Sequence, residues 1–414
     1  MTQANAPIQN HQISASGATE TARYAFSLNY FNQEAITRFV SYERMSLRAN
    51  TQFSALNGRL RVGENFTVSF GNRKGGYGNN QEQNAVSGSY KHHPLLPVYD
   101  IAGNFAGSRG ANLGNNSSPY AVLQRDRDDR NYNLRAFGNV YAEVDLFKDF
   151  TFKSSFGIDA NTGRNKNIGR PQPEYVEGNF INSLSVGQSY DYEWTWSNTV
   201  SYKKDFGTEH TFSALAGVEA IEGFGESFGA SRQRFSSEDL SIISYLNLGD
   251  LTTAGNSGGT YKDFSLFSLL GQVNYSFRDR YLVQFLGRYD QSSRFLTADN
   301  AAFFPAVSLG WRISDEPFFE GLSGVFSDLK IRYGWGKTGN QEIGDYNGFT
   351  TYRSNIFNAG YPINGSTSAP TIGFDAASFG NPLAQWETTT SNNLGFDAKM
   401  FNNRVTLELD VWNR

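Results

Sequence analysis

Residues 131–147, NYNLRAFGNVYAEVDLF, alternate between two kinds of side chain along their whole length. A period of two is that of a β-strand with one apolar face and one polar face. Strands of soluble proteins are usually about 5–6 residues long, so this longer run indicates an unusual environment against the apolar face. The apolar parity consists of Tyr132, Leu134, Ala136, Gly138, Val140, Ala142, Val144 and Leu146.

The same alternation recurs along nearly the whole chain. Matching to a period of two predicts about 14 such strands. The opposite parity of these rows carries charged and amide side chains, as Lys330 and Arg332 do. Further rows are Tyr24, Phe26, Leu28 and Tyr30; Phe267, Leu269, Gly271, Val273, Tyr275 and Phe277; Leu329, Ile331, Tyr333 and Trp335; and Val405, Leu407, Leu409 and Val411.

The composition agrees with an all-β chain and excludes several classes of function. The 414 residues include 34 Phe, 22 Tyr and 42 Gly against only 11 Pro, a mixture that suits strands and turns. A net charge of -4 gives no reason to expect a nucleic-acid partner. The absence of cysteine excludes disulfides and thiolate zinc sites. No run of about 18 apolar residues is present, which excludes transmembrane helices and leaves a membrane barrel possible.

The predicted connections come in two sizes that alternate along the chain. Short turns at one end and long loops at the other are typical of an outer-membrane barrel, whereas a soluble sandwich has no reason to separate them. The predicted short turns are LNGR (56–59), FKDF (147–150), KDFGT (204–208), RDR (278–280) and FNNR (401–404). The predicted long loops lie near 72–130, 162–187, 223–260 and 339–384.

The opening stretch then has a simple interpretation. We expect the face of Leu134, Val140 and Val144 to meet lipid, and Asn139 and Glu143 to face a wet lumen. Strands of about 9–11 residues, tilted near 45°, span a bilayer. The fold class predicted is a transmembrane antiparallel up-and-down β-barrel, of which this chain supplies a part.

Four blocks of sequence carry a resemblance to a known family. They read GRYDQSSRF (287–295), FFPAVSLGWRISDEPFF (303–319), SDLKIRYGWGKTGNQEIG (327–344) and NPLAQWETTTSNNLGFD (381–397). In this order and spacing they closely resemble the barrel of SusC/RagA-like TonB-dependent outer-membrane transporters. HHPLLPVYDIAGNF (92–105) resembles a loop of the same family.

The resemblance implies energised import of oligosaccharides or peptides across the outer membrane. It implies two protein partners, a SusD-like surface lipoprotein and the TonB complex, which acts through a plug domain. Family members carry a signal peptide and a plug before the barrel, and large plugged barrels have 22 strands. We therefore expect residues 1–414 to be an interior part of a single barrel domain, without signal peptide, plug or final strands. Two unpaired sheet edges would then have to be covered by the missing strands.

No residues predict catalysis, a metal or a cofactor. GESFG (225–229) matches the G-x-S-x-G nucleophile pattern, but that motif needs a strand–turn–helix setting, and the sequence here predicts a strand leading into a Gly/Ser-rich loop. His92 and His93 are adjacent and would point apart. DRDDR (126–130) offers oxygen ligands for a cation, but its interleaved arginines favour a self-neutralising strand end. We expect no enzyme activity.

Six residues are candidates for ligand binding. Tyr77, Tyr90 and Tyr99 lie in the first long loop, where they would stack on a sugar or a peptide, or else pack the loop on itself. Arg288, Asp290 and Arg294 lie on the parity opposite Phe285 and Tyr289 and should face the lumen, to line a substrate path or to dock the plug.

Two other functions remain open at this point. A passive porin of about 14 strands would be a closed barrel without a lid partner. An outer-membrane hydrolase would place carboxylates, or a Ser/His pair, at the rim of the loops.

Overall fold

The computed structural model describes residues 1–76, 84–110, 112–115, 117–296, 300–354, 359–363, 365–368 and 370–414. Fourteen strands form one antiparallel sheet in which almost every strand pairs with its neighbours in sequence. The predicted strand number is confirmed. The strands are β1 (Ile8–Ala18), β2 (Ala22–Glu34), β3 (Ser41–Ala55), β4 (Leu60–Lys74), β5 (Arg130–Phe147), β6 (Phe150–Gly169), β7 (Ser183–Phe206), β8 (His210–Gln233), β9 (Asp250–Phe277), β10 (Tyr281–Ser292), β11 (Ala301–Arg312), β12 (Phe326–Asn340), β17 (Glu387–Met400) and β18 (Val405–Asn413).

The sheet is open, with β1 and β18 at its two edges. The longest strand, β9, has 28 residues, and β7 and β8 have 24 each. Strands of this length exceed the roughly 9–11 residues needed to cross a bilayer. The middle of the sheet therefore extends beyond the thickness of a membrane.

The two ends of the sheet differ in their connections. Turns such as 148–149, 207–209 and 278–280 join strands at one end, called the turn end. At the turn of 278–280, Arg278 and Asp279 have φ values of 55° and 52°, the two positive angles that a type I′ hairpin turn requires. The other end, the loop end, carries the long connections 75–129, 170–182, 234–249 and 341–386.

Two of the long loops are shorter in the structure than predicted from the sequence. The loop predicted near 223–260 is only 234–249, because β8 continues to Gln233 and β9 begins at Asp250. The loop predicted near 162–187 is 170–182. Both errors come from stretches rich in Gly, Ser and Asn, which are typical of loops but here lie within paired strands.

Short elements occupy the connections. In the described part of the chain, no helix has the length and apolar character needed to cross a bilayer. The helices are α1 (Ala85–Lys91), α2 (Pro119–Arg125) and α3 (Leu240–Ile243), with 3₁₀ turns at Asp126–Asp128, Leu246–Leu248, Ile313–Asp315 and Pro317–Leu322. The 341–386 loop contains the small strands β13 (Thr351–Arg353), β14 (Gly360–Tyr361), β15 (Thr371–Ile372) and β16 (Asp375–Ser378).

Each strand of the sheet separates an apolar face from a polar face. On β5 the apolar face includes Leu134 and Val140, whose side chains are 43% and 45% exposed. The polar face includes Asn139, which accepts a hydrogen bond from Asn65 of β4 and donates one to Ser155 of β6. Apolar side chains this exposed along a whole face need a non-aqueous neighbour.

Buried apolar clusters lie at the ends of the sheet. At the loop end, Val40, Ala85, Val122 and Leu123 pack together, and a second group consists of Ile168, Leu184, Phe235 and Ile243. At the turn end, Phe319 packs with Leu329 and Ala398. These clusters attach the connections to the sheet, while the two faces of the sheet stay open.

Candidate functional site

The polar face contains an ionic network around Arg288 on β10. Its guanidinium donates to Asp290 at 2.7 Å, to Glu219 of β8 at 2.9 Å and to the Ser268 hydroxyl of β9 at 2.8 Å. Asp290 is only 7% exposed. The structure thus places Arg288 and Asp290 together on the polar face, with the donors of Arg288 already directed at partners within the wall. A ligand role for this pair stays a prediction.

Arg294 follows β10 on the loop-end side of that network and binds the 341–386 loop. Its Nε donates to the Asp345 carboxylate at 2.8 Å and its Nη1 to Glu342 at 2.9 Å, both in the 341–386 loop. The guanidinium carbon lies 4.3 Å from the centre of the Phe264 ring. This buried arginine ties the start of the 341–386 loop to the polar face.

The predicted tyrosines have different surroundings. Tyr77 lies outside the described residues. Tyr90, on α1, is 76% exposed. Tyr99 is half exposed and stacks on Phe105 with 5.5 Å between ring centres, with the edge of Tyr120 beside it at 6.4 Å. Tyr99 therefore packs within its own loop while one side of it stays open, and binding by these tyrosines stays a prediction.

A second cluster of polar side chains lies on the polar face nearer β5, and it was not predicted from the sequence. It surrounds a recess of about 350 Å³, called here the β5–β9 recess. The only sequence signal for it is the polar parity of the strands, which does not show which positions of different strands meet. Its lining residues are Asn133, Arg135, Asp159, Asn161, Asp191, Glu193 and Lys262.

The charged groups of the recess are paired across strands and remain accessible. Arg135 donates to both oxygens of Asp159, at 2.8 and 2.5 Å. Lys262 Nζ donates to Glu193 Oε2 at 3.1 Å. The side chains of Arg135, Asp159 and Glu193 are each 40–49% exposed. The recess is thus a half-open polar surface whose charged side chains are oriented by ion pairs between strands.

The amide and phenol groups of the recess extend this pattern. Asn133 donates to Asn161 at 2.6 Å, and Asn161 donates to Asp191 at 3.2 Å. The Tyr261 hydroxyl donates to the same Asp191 oxygen at 3.0 Å. Planar polar groups from four strands therefore lie side by side along the wall.

Two glycines of β8 and one bulge of β9 make this arrangement possible. A Cβ on Gly225 would lie 2.9 Å from the Tyr261 ring and 3.0 Å from Asp191 Cβ, and one on Gly223 would lie 2.6 Å from Lys262 Cε. The register shifts between Gly225 and Glu226, which leaves Tyr261 as the extra residue of a β-bulge. Tyr261 and Lys262 can therefore both reach across β8 to side chains of β7.

At the loop end, ion pairs join the 75–129 loop to the 170–182 loop. Arg125 donates to both oxygens of Glu174, at 2.6 and 2.8 Å, and the two side chains are only 9% and 6% exposed. Arg170 donates to Asp128 at 2.6 Å and to the backbone carbonyl of Arg125. Within the charged segment 126–130, Arg127 also pairs with Asp128 at 3.4 Å, so the segment is neutralised partly by its own arginine, as predicted, and partly by Arg170 of the neighbouring loop.

Asp129 is the unusual member of that junction. Its carboxylate accepts a hydrogen bond from the Ile168 amide at 2.8 Å. Burial raises the pKa of Asp129 from its ordinary value of 3.8 to about 6, with the nearby Asp126 and Asp128 charges acting in the same direction. This carboxyl group titrates close to neutral pH.

The structure changes the setting predicted for the G-x-S-x-G match. Residues 225–229 lie inside β8, paired with β7 and β9, and not at the start of a loop as predicted from the sequence. A serine in a regular strand lacks the sharp turn that exposes a nucleophile. Among the described residues, no group of three or more His, Cys, Asp or Glu side chains is arranged to hold a metal ion.

Comparisons with known proteins agree on the architecture. Residues 8–414 match the family model described as TonB dependent receptor-like, beta-barrel. The chain is 28% identical to TonB-dependent receptor P26 of Formosa agariphila, over 98% of this chain and 39% of that protein. It is also 28% identical to TonB-dependent receptor SusC of Bacteroides thetaiotaomicron, over 98% of this chain and 40% of that protein.

A solved structure gives the same result in three dimensions. The structure of the RagAB peptide transporter matches 98% of this chain and 44% of its own, with a TM-score of 0.79 and 26% identity. The chain thus spans less than half the length of each of these relatives.

Proposed function

Because this chain belongs to the TonB-dependent receptor-like β-barrel family, we propose that it forms part of the wall of a transporter that imports oligosaccharides or peptides. The family consists of outer-membrane proteins, so the apolar face of the sheet meets lipid and the polar face lines the inside of the barrel. The observation that carries the proposal is the similarity to SusC and RagAB, which extends over 98% of the chain.

We also propose that residues 1–414 are one part of a single barrel domain. The family match runs unbroken from residue 8 to residue 414, and the relatives are more than twice as long as this chain. Further strands pairing with β1 and β18 would satisfy the two open edges, which lipid does not tolerate. The chemistry of the protein is binding and gating, without bond cleavage.

The proposed partners are a SusD-like lipoprotein over the loop end and the TonB complex, acting through a plug. Large apolar side chains in the 341–386 loop support a protein partner at that end. Ile363 and Phe374 are each 74% exposed, and Phe379 is 85% exposed. A loop that exposes several large apolar side chains is a candidate surface for a protein partner.

Uptake in living cells tests the energised function. Cells that make the protein and cells that lack it are given fluorescently labelled oligosaccharides and peptides, with and without a protonophore that collapses the energy supply of TonB. We expect uptake that depends on the protein and stops with the protonophore. Uptake that continues at the same rate in de-energised cells would instead establish a passive pore.

A further inference from the structure

We propose that the β5–β9 recess is a subsite for one neutral sugar unit of an oligosaccharide. This inference rests on the proposed transport function and narrows its substrate class from oligosaccharides or peptides to oligosaccharides. It follows from three properties of the recess, which are its hydrogen-bonding groups, its charge pairing and the side chain at its rim.

The hydrogen-bonding groups of the recess suit two adjacent hydroxyl groups of a sugar ring. A sugar hydroxyl donates one hydrogen bond and accepts others, so a pair of them needs acceptors and donors side by side. The recess offers carboxylates at Asp159 and Glu193 beside donors on Arg135, Asn133 and Lys262. Planar carboxylate, amide and guanidinium groups bind two neighbouring atoms at once, which sets the orientation of the ligand.

The charge pairing favours a neutral ligand. Three carboxylates face two cations, and Arg135–Asp159 and Lys262–Glu193 are already ion pairs. An anionic ligand would be repelled by the excess negative charge of the carboxylates. A cationic ligand would have to compete with Arg135 and Lys262 for these carboxylates. Hydroxyls can be added without breaking either pair, because a carboxylate has about four lone-pair sites. Among the described residues, Glu193 accepts a side-chain hydrogen bond only at Oε2, which leaves Oε1 for a ligand.

An aromatic ring at the rim supplies the apolar contact that a sugar also needs. Phe137 lies on the polar face, directly opposite Asp159 in the β5–β6 register, and its side chain is 41% exposed. The Arg135 guanidinium lies 5.0 Å from the ring centre, which holds the ring beside the recess. A pyranose has a C–H face that packs on such a ring and a rim of hydroxyls that would reach the carboxylates.

A peptide is the less suitable ligand because the recess offers it no backbone partners. Peptides that bind to sheets usually do so through main-chain hydrogen bonds at a free strand edge. The backbone groups of β5 to β9 are already paired with neighbouring strands along the recess. A peptide would keep only side-chain contacts there.

Binding to purified protein tests the subsite. The protein, extracted from outer membranes, is applied to arrays of neutral gluco-, manno-, xylo- and galacto-oligosaccharides of four to six units and to arrays of hexapeptides. The strongest oligosaccharide is then titrated by calorimetry against wild type and the double variant Asp159→Asn, Glu193→Gln. The matched control is Glu143→Gln, on the same strand face as Arg135 but near the turn end, where Glu143 pairs with Arg61 at 2.7 Å.

We expect at least one neutral oligosaccharide to bind, the double variant to weaken it at least about tenfold, and the control to stay within about twofold. Migration of the unboiled protein in electrophoresis shows whether each variant is folded. If the double variant is misfolded, Asn133→Ala at the rim replaces it, with an expected loss of about threefold or more. Binding to peptides alone, binding to no oligosaccharide, or equal affinity of variant and wild type would overturn the subsite. These results are independent of the protonophore experiment, because binding needs no energy supply.

Discussion

The buried pair Arg125–Glu174 makes the junction of two loops sensitive to a single side chain. We predict that Arg125→Ala destabilises this junction by about 3–5 kcal/mol, because Glu174 would remain buried without a partner. Both side chains are less than a tenth exposed, and the two hydrogen bonds of 2.6 and 2.8 Å are the bidentate kind. The backbone carbonyl of Arg125 keeps its contact with Arg170, so the change isolates the side chain.

An exposed pair of the same chemistry provides the control. Arg353 and Asp375 join β13 to β16 in the other long loop, and their side chains are 49% and 28% exposed. Solvent-exposed ion pairs contribute at most about 1 kcal/mol. We therefore expect Arg353→Ala to change the stability of its own loop by no more than that amount.

Hydrogen exchange read by mass spectrometry measures both changes in the intact protein. For α2 and the 170–182 loop, a loss of about 4 kcal/mol lowers amide protection by a factor on the order of a thousand. A third variant, Arg125→Met with Glu174→Leu, removes both charges and should recover most of the protection. Losses below about 1 kcal/mol for Arg125→Ala, or equal losses in the two loops, would refute the argument from burial.

Three further predictions concern other parts of the sheet. Val140→Arg on the apolar face should cost about 2–4 kcal/mol in membrane-folding titrations, whereas Val140→Leu should be nearly neutral. Gly225→Val should cost about 1–3 kcal/mol, because the new side chain overlaps Tyr261, and should lower the temperature at which heating changes the migration of the protein in electrophoresis. Gly259→Val is the control and should leave that temperature unchanged, because nothing lies within 4 Å of a Cβ at this position. The pKa of Asp129 is higher in the fold than in the unfolded chain, so the junction should lose stability as pH rises from about 4 through 6. Asp129→Asn should remove this dependence from hydrogen exchange around residue 168, after correction for intrinsic rates, and an unchanged pH profile would contradict the buried carboxyl.

Much of the fold could be predicted from the sequence because a barrel wall is a local structure. A strand's alternation fixes which side chains share a face, and sequential hairpins fix which strands are neighbours. The rows containing Leu134 and Leu329 were therefore assigned correctly. The stretch 223–260 was assigned wrongly to a loop, because glycines are typical of loops. Only the paired strands show that the glycines of β8 leave room for larger side chains of β9.

The contacts that form the candidate sites were less predictable, because they depend on register and on bulges. Arg135 and Asp159 meet since β5 and β6 pair at one particular offset, and Tyr261 reaches β7 only through an irregularity in β9. The pairing of Arg125 with Glu174 joins two loops that are separated by the complete β5–β6 hairpin. No local pattern in the sequence indicates any of these three contacts.

The contrast between the turn end and the loop end has a consequence for how such a protein diversifies. The entropy lost on closing a loop grows only with the logarithm of its length, so doubling a loop costs about 0.6 kcal/mol. The hairpin turns tolerate no such change, since an inserted residue shifts the register and moves every following side chain to the opposite face. Insertions and deletions should therefore accumulate in connections such as 75–129 and 341–386. The rim formed by these loops can thus vary in length and sequence while the strand registers of the sheet are inherited unchanged.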